Sequence, residues 1–158
     1  CMEQATDRCK MYCGEKNQMY SALSEELARM YNAAGRREES LACHLAVRNQ
    51  LLKNGYREGS LLLMVDNNMS VVYLDLGKPE EAIPYLTEAL ELTKENGLVG
   101  SAVAEPTWNL ARVYRALGDE EKEDIYLKAA VEGFRECYPP EHPKRIAAEQ
   151  RLKERQGE

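Results

Sequence analysis

The feature that most constrains this fold is a tyrosine standing four residues before a glycine, which occurs three times. The pairs are Tyr31 with Gly35, Tyr73 with Gly77, and Tyr114 with Gly118. The glycines are 42 and 41 residues apart (77 − 35 and 118 − 77). A fixed period in this range is typical of a solenoid, in which each repeat packs only on its neighbours.

Positions aligned on these glycines carry the same kinds of residue. Seven residues before each glycine the side chain is small, eight before it is large and apolar, and twelve after it is small or β-branched. The residues are Ala28, Ser70 and Ala111; Leu27, Met69 and Leu110; and Val47, Ala89 and Ala130. Small residues let two helices approach closely, and a glycine ends the first helix in a left-handed conformation. The pattern predicts two antiparallel helices per repeat.

Acidic pairs open each second helix, where they suit the positive end of the helix dipole. They are Glu38–Glu39, Glu80–Glu81 and Glu120–Glu121.

The alignment also predicts the organisation of the chain. We expect three helix pairs, preceded by the second helix of a partial repeat and followed by a charged capping helix. In chain order the ranges are 1–14, 18–55, 60–97, 101–138 and 144–155. The first helices are expected at about 18–34, 60–76 and 101–117. The predicted fold class is all-α, a right-handed superhelical solenoid of antiparallel helix pairs in a single repeat domain.

Composition argues against several other classes. A net charge of −6 disfavours nucleic acid as the main partner, since phosphate binding needs clustered Lys and Arg. The sequence lacks the run of about 18 apolar residues that a transmembrane helix requires, so we expect no membrane partner. The five cysteines are odd in number and irregularly spaced, so a reducing compartment, the cytoplasm, is the simpler interpretation.

No metal, cofactor or catalytic residue is predicted. Cys9 and Cys13, with Cys43 and His44, are the one arrangement that suggests zinc, but the sequence has no Cys-x-x-Cys motif. Free thiols and a histidine packed at a core position are the simpler interpretation. The sequence also lacks a glycine-rich phosphate loop, a Gly-x-Ser-x-Gly elbow and a His-Glu-x-x-His motif.

The aligned residues resemble the tetratricopeptide repeat, whose pattern places small, Tyr, Gly, Ala and large apolar residues at these offsets. Ser40 and Glu123 depart from it, since they stand where Ala82 has the usual alanine. The period exceeds the family's usual 34 residues. Together with Asn109 before a Leu–Ala pair and the His142–Pro143 dipeptide, it resembles the kinesin-light-chain type of these repeats.

The resemblance implies a protein-interaction scaffold, with the first helix of each pair lining a concave groove. In the family, residues ten, nine, six and three before the turn glycine face that groove, which includes Glu25 and Glu26 here. The peptide-binding candidates are Arg29, Asn67, Asn68, Val71, Trp108, Asn109, Arg112 and Arg115.

Each type of candidate has two interpretations. The asparagine amides either clamp a peptide backbone, since an amide donates and accepts, or bridge neighbouring helices. The arginines either bind an acidic peptide through its carboxylates or pair with acids of the scaffold. Trp108, the only tryptophan, is either part of the core or an exposed anchor.

Three functions follow. The first is binding of an extended peptide or a partner helix in the groove. The second is self-association, or packing within a larger protein, through the terminal helices. The third is a regulatory domain that senses a peptide.

Overall fold

The computed structural model describes residues 3–4, 7, 18–56 and 60–157, and no β-strand occurs within these ranges. The helices are α1 Gln18–Ala33, α2 Arg37–Lys53, α3 Ser60–Asp75, α4 Pro79–Glu95, α5 Ser101–Leu117, α6 Glu120–Cys137 and α7 Pro143–Gln156. The predicted first helices agree with α1, α3 and α5 to within one residue. The range 1–14 lies outside the described residues except for Glu3, Gln4 and Asp7. None of the helices described is long and apolar enough to cross a membrane.

The chain divides into two compact units, Cys1–Gly77 and Lys78–Glu158. In the first, the N-terminal unit, α1 packs on α2 and α2 packs on α3. In the second, the C-terminal unit, α4 packs on α5, α5 on α6, and α6 on α7. Within each unit the helices therefore pack mainly on their neighbours in sequence, as a repeat architecture requires.

The turn glycines end the first helices as predicted. Gly77 has φ 70° and Gly118 has φ 74°, values that a side chain rarely adopts. The Gly118 N–H donates to the carbonyl of Arg115 at 3.1 Å, which satisfies one of the carbonyls left open at the helix end. The left-handed glycine expected from the sequence is confirmed at both positions.

The second helices begin with acidic residues, as expected, in α2, α4 and α6. At α6 the preceding residue adds a cap, because the Asp119 carboxylate accepts the backbone N–H of Lys122 at 3.1 Å. That hydrogen bond holds the pKa of Asp119 below its usual range. Local charge and capping thus fix where α6 starts.

The core of the C-terminal unit is a cluster of small and large apolar side chains. Its buried members are Ala104, Ala111, Leu127, Val131, Phe134 and Ala148. The small ones bring α5 and α6 close together. A Cβ at Gly133 of α6 would lie 2.9 Å from the Cβ of Ala104 on α5. The absence of a side chain at Gly133 is therefore a requirement of this contact.

The two departures from the repeat pattern have structural reasons. Ser40 is fully buried, and its hydroxyl donates to the carbonyl of Ala28 on the neighbouring helix at 2.7 Å. Glu123 is 3% exposed and accepts hydrogen bonds from Arg151 of α7 at 2.7 and 3.0 Å. A polar group replaces alanine at each position because a partner lies within reach.

Candidate protein-binding surfaces

In the N-terminal unit, one face of α3 carries three of the candidate residues, with Met64 one turn earlier. We call these four residues the α3 face: Met64, Asn67, Asn68 and Val71. Met64 is 41% exposed, and the other three are half-buried. The face therefore offers solvent a mixture of amide groups and small apolar surface.

Arg29, the candidate on α1, is exposed and already has a local partner. Its guanidinium lies 2.9 Å from the carboxylate of Glu26, three residues earlier on the same helix. Exposed pairs of this kind contribute only about 0–1 kcal/mol, so a ligand carboxylate could replace Glu26 at little cost. The pair nevertheless offsets the positive charge of Arg29 in the unbound protein.

Glu25 was expected to face the groove, and the structure shows that this expectation was wrong. It is 1% exposed and lies between three helices. Its carboxylate is 2.7 Å from Nδ1 of His44 on α2 and accepts from Nδ2 of Asn68 on α3 at 2.6 Å. We call these three residues the Glu25 cluster. His44 is equally buried, which confirms the packed histidine predicted from the sequence.

A buried ion pair also links α2 and α3. Nε of Arg48 donates to Oδ1 of Asp66 at 2.7 Å, and the Asp66 side chain is fully buried. Such pairs contribute little net stability, but removing one partner leaves a costly buried charge. The pair and the Glu25 cluster together tie α3 to the rest of the N-terminal unit through polar contacts.

In the C-terminal unit, one face of α5 carries Trp108, Arg112 and Arg115 in helical spacing, which we call the α5 face. Arg115 is exposed and forms no ion pair with the residues that the structure describes. Arg112 is half-buried and donates to Oδ1 of Asn109 at 3.2 Å. Asn109 is only 7% exposed, and its amide oxygen accepts this hydrogen bond from beneath the surface.

Trp108 is half-buried and belongs to both core and surface. It packs on the apolar cluster of the C-terminal unit. Its ring meets Phe134 edge-on, with centroids 6.4 Å apart and planes at 63°. The sequence left open whether this tryptophan is core or anchor, and its partial burial is compatible with both roles.

Glu105, one turn before Trp108, is neutralised within the unit. Its carboxylate accepts the hydroxyl of Tyr138 at 2.6 Å and lies 2.6 Å from the ammonium of Lys144. Burial, together with this hydrogen bond, raises the pKa of Tyr138 to about 12. Because Lys144 offsets the carboxylate of Glu105, the exposed Arg115 gives the α5 face a positive charge.

The family model of the tetratricopeptide repeat matches residues 17–95 and 60–136, which together cover more than half of the chain. The chain belongs to the tetratricopeptide repeat family. Repeats of this family generally mediate protein–protein interaction. The predicted all-α solenoid of helix pairs is thereby confirmed.

This tetratricopeptide repeat chain is similar in fold to solved kinesin-light-chain repeats. It superposes with TM-scores of 0.80 and 0.77 on two crystal structures of nearly identical TPR-like repeats from Podosopora anserina. That protein is described as a kinesin light chain, and the first structure is of a variant of it. Both are 22% identical, and the match covers 99% of this chain and 76% of theirs. BtubC (BKLC) from P. vanneervenii gives 0.72 at 19% identity, over 89% of this chain and 64% of that one. No curated protein matches the chain.

The cysteines of this tetratricopeptide repeat chain offer no metal site within the part that the structure describes. Cys43 and Cys137 are free and half-buried, and burial raises the pKa of both thiols. Raised values keep a thiol protonated and unreactive. Cys9 and Cys13, the other cysteines of the zinc arrangement considered from the sequence, lie outside the described residues.

Sequence reasoning missed that Glu25 and His44 act together. Both stand at aligned repeat positions where the other repeats have a different residue type: Asn67 and Trp108 for Glu25, and Leu86 and Leu127 for His44. Two polar departures within one repeat were a usable signal, since a buried polar group requires a partner. The α5 partners Tyr138 and Lys144 carried no such signal.

Proposed function

We propose that this chain is a protein-interaction module that binds an extended peptide, or a partner helix, through residues of its first helices. The observation that carries the proposal is the α5 face, where Arg112 and Arg115 follow a half-buried tryptophan by four and seven residues of the same helix. The peptide-binding set remains Arg29, Asn67, Asn68, Val71, Trp108, Asn109, Arg112 and Arg115.

The chemistry of the α5 face favours an acidic partner. Guanidinium groups bind carboxylates in a planar, two-bond geometry. The tryptophan adds a large apolar surface of the kind that dominates binding energy at protein interfaces. Arg115 is the strongest candidate, because it is exposed and has no ion-pair partner among the described residues.

The α3 face supports a different kind of contact. Two neighbouring amides, from Asn67 and Asn68, are suited to hydrogen bonds with a peptide backbone. Val71 and Met64 supply apolar contacts beside them. This face carries no net charge, so it does not add to the preference for acidic residues.

The experiment uses a peptide selected from a library of random dodecapeptides displayed on phage, then synthesised and measured by calorimetry. Selected sequences should be enriched in Asp and Glu. Replacing both Arg112 and Arg115 by Ala should weaken binding about tenfold or more, or ~1.4 kcal/mol. The charge-matched control replaces Lys128 and Lys153, exposed residues of α6 and α7, by Ala. Selected peptides without acidic enrichment, or equal losses in both variants, would contradict the proposal.

A second candidate, self-association, is favoured by one observation on α1. Met30 is 49% exposed, whereas Val72 and Val113 at the aligned position of the other repeats are 1% and 0% exposed. Met19, on the same helix, is 61% exposed. If copies associate through α1, sedimentation velocity should show a dimer that replacing Met30 by Glu abolishes. A monomer at high concentration would contradict this candidate.

A further inference from the structure

The first repeat replaces an apolar contact by a polar one. In the third repeat, Trp108 and Leu127 belong to one apolar cluster. The aligned residues of the first repeat are Glu25 and His44, which are each 1% exposed and lie 2.7 Å apart. This replacement sits directly beneath the α3 face, because Asn68 of that face also binds Glu25.

The Glu25 cluster determines which way the amide of Asn68 points. A carboxylate only accepts hydrogen bonds, so the group of Asn68 that faces Glu25 must be its NH2. Nδ2 lies 2.6 Å from Oε1 of Glu25, while the other carboxylate oxygen is used by His44. The amide oxygen therefore points away from the cluster. It has no hydrogen-bond partner among the described residues, and it is not sealed from solvent.

We propose that Glu25 and His44 are positioning residues that present the oxygen of Asn68 on the α3 face as a hydrogen-bond acceptor. This rests on the proposed function, because it names what that face recognises. The ligand is an extended peptide that offers a backbone N–H at this point, so a proline is rejected there. An asparagine without such an anchor could turn either its donor or its acceptor to the ligand.

Packing alone does not require the polar contact between Glu25 and His44. Replacing a buried ion pair by apolar residues of similar volume is often neutral or stabilising. The chain itself uses leucine at the position of His44 in its other repeats, where Leu86 and Leu127 are fully buried. What the Glu25–His44 pair adds, and a pair of leucines cannot, is a fixed acceptor for the NH2 group of Asn68.

The first experiment needs no ligand. In the 15N-labelled chain, the side-chain amide of Asn68 should give two widely separated proton resonances that exchange slowly with water. A double variant, Glu25→Leu with His44→Leu, should keep a cooperative thermal transition while the Asn68 resonances move towards those of Asn96 at the C-cap of α4. Asn68 resonances that are unchanged in this folded double variant would overturn the proposal.

The second experiment uses the selected dodecapeptide, methylated at one backbone nitrogen at a time. One methylation should weaken binding about threefold to tenfold in the wild-type chain, as expected for one hydrogen bond. The same methylation should have no effect in Asn68→Ala and a reduced effect in the double variant. A methylation effect that is equal in all three chains would overturn the proposal.

The two experiments separate this inference from the proposed function. If the peptide binds but no methylation depends on Asn68, the acceptor role fails while the binding module stands. If neither the α3 face nor the α5 face affects peptide binding, the proposed function fails, and the acceptor role fails with it whatever the resonances show.

Discussion

The contact between Gly133 and Ala104 gives a prediction whose sign can be worked out from the structure. Gly133→Ala adds a Cβ at 2.9 Å from the Cβ of Ala104 and 3.5 Å from its Cα. Carbon atoms attract best at about 3.5–4.0 Å, so α5 and α6 must move apart. Neither atom of Ala104 can turn away, because both are fixed to the helix backbone.

Two effects of opposite sign compete in Gly133→Ala. Gly133 lies inside α6, so alanine should gain about 1 kcal/mol of helix propensity. Overpacking of a tight contact should cost about 1–3 kcal/mol. The expected net effect is therefore a loss of roughly 0–2 kcal/mol. With Ala104→Gly as background, the clash disappears and the same change should stabilise the chain by about 1 kcal/mol.

Urea unfolding followed by the fluorescence of Trp108 suits this test, because Trp108 is the only tryptophan and packs on the same cluster. Ala129→Gly, at an exposed position of α6, measures the propensity difference in this helix without the contact. The coupling energy between positions 104 and 133 should be about 1–3 kcal/mol. If Gly133→Ala stabilises the chain by the same amount in both backgrounds, the close contact between α5 and α6 is refuted.

Three further predictions concern the turns and α7. Gly77→Ala should destabilise the chain by roughly 1–2 kcal/mol, because φ at this position is 70°, which strains any residue with a Cβ. The added Cβ itself would meet no atom within 4 Å, so thermal denaturation should report the backbone strain alone. Arg151→Met should cost about 3–5 kcal/mol by leaving Glu123 buried without its partner, and the added Glu123→Ala should recover most of it in urea titrations. Hydrogen bonding to Arg155 lowers the pKa of Asp124 in the folded chain. The ionised Asp124 therefore stabilises the fold above its unfolded-state pKa of about 3.9, and this stabilisation is lost as the pH falls below that pKa towards the lower folded-state pKa. Circular dichroism between pH 6 and pH 2 should therefore show a smaller acid-induced loss of stability in Asp124→Asn.

Each of these has an opposite outcome that counts against its reasoning. An unchanged melting temperature in Gly77→Ala would mean that the left-handed turn carries no strain. Failure of Glu123→Ala to rescue Arg151→Met would show that the arginine acts through other contacts. Identical acid profiles of Asp124→Asn and the wild-type chain would show that the pair of Asp124 and Arg155 does not contribute to stability.

The helices and turns were predictable because their causes are local. The left-handed glycines and the apolar spacing around Tyr73 and Tyr114 are written within single repeats. Both patterns involve only a few neighbouring residues, so helices and turns can be predicted from them without knowledge of tertiary contacts. The family resemblance added the groove positions, which remain predictions for the eight candidate residues.

The polar contacts were not predictable in the same way. Glu25 occupies a position that faces the groove in the repeat pattern, yet its carboxylate is buried against His44 and Asn68, which lie 19 and 43 residues away. Glu123 similarly depends on Arg151 of α7, which lies 28 residues further along. The partner of a long polar side chain depends on which helices pack together, and the spacing of residues within a repeat does not predict it.

The most direct test of the binding function is the indole N–H resonance of Trp108 during titration with the selected dodecapeptide. A single tryptophan gives a single resonance, so its assignment is unambiguous. The resonance should shift and saturate at the affinity that calorimetry measures. When Arg112 and Arg115 are replaced by Ala, about tenfold more peptide, or more, should be needed for the same shift. Binding that calorimetry detects while the indole resonance of the wild-type chain stays still would place the partner elsewhere and contradict the account.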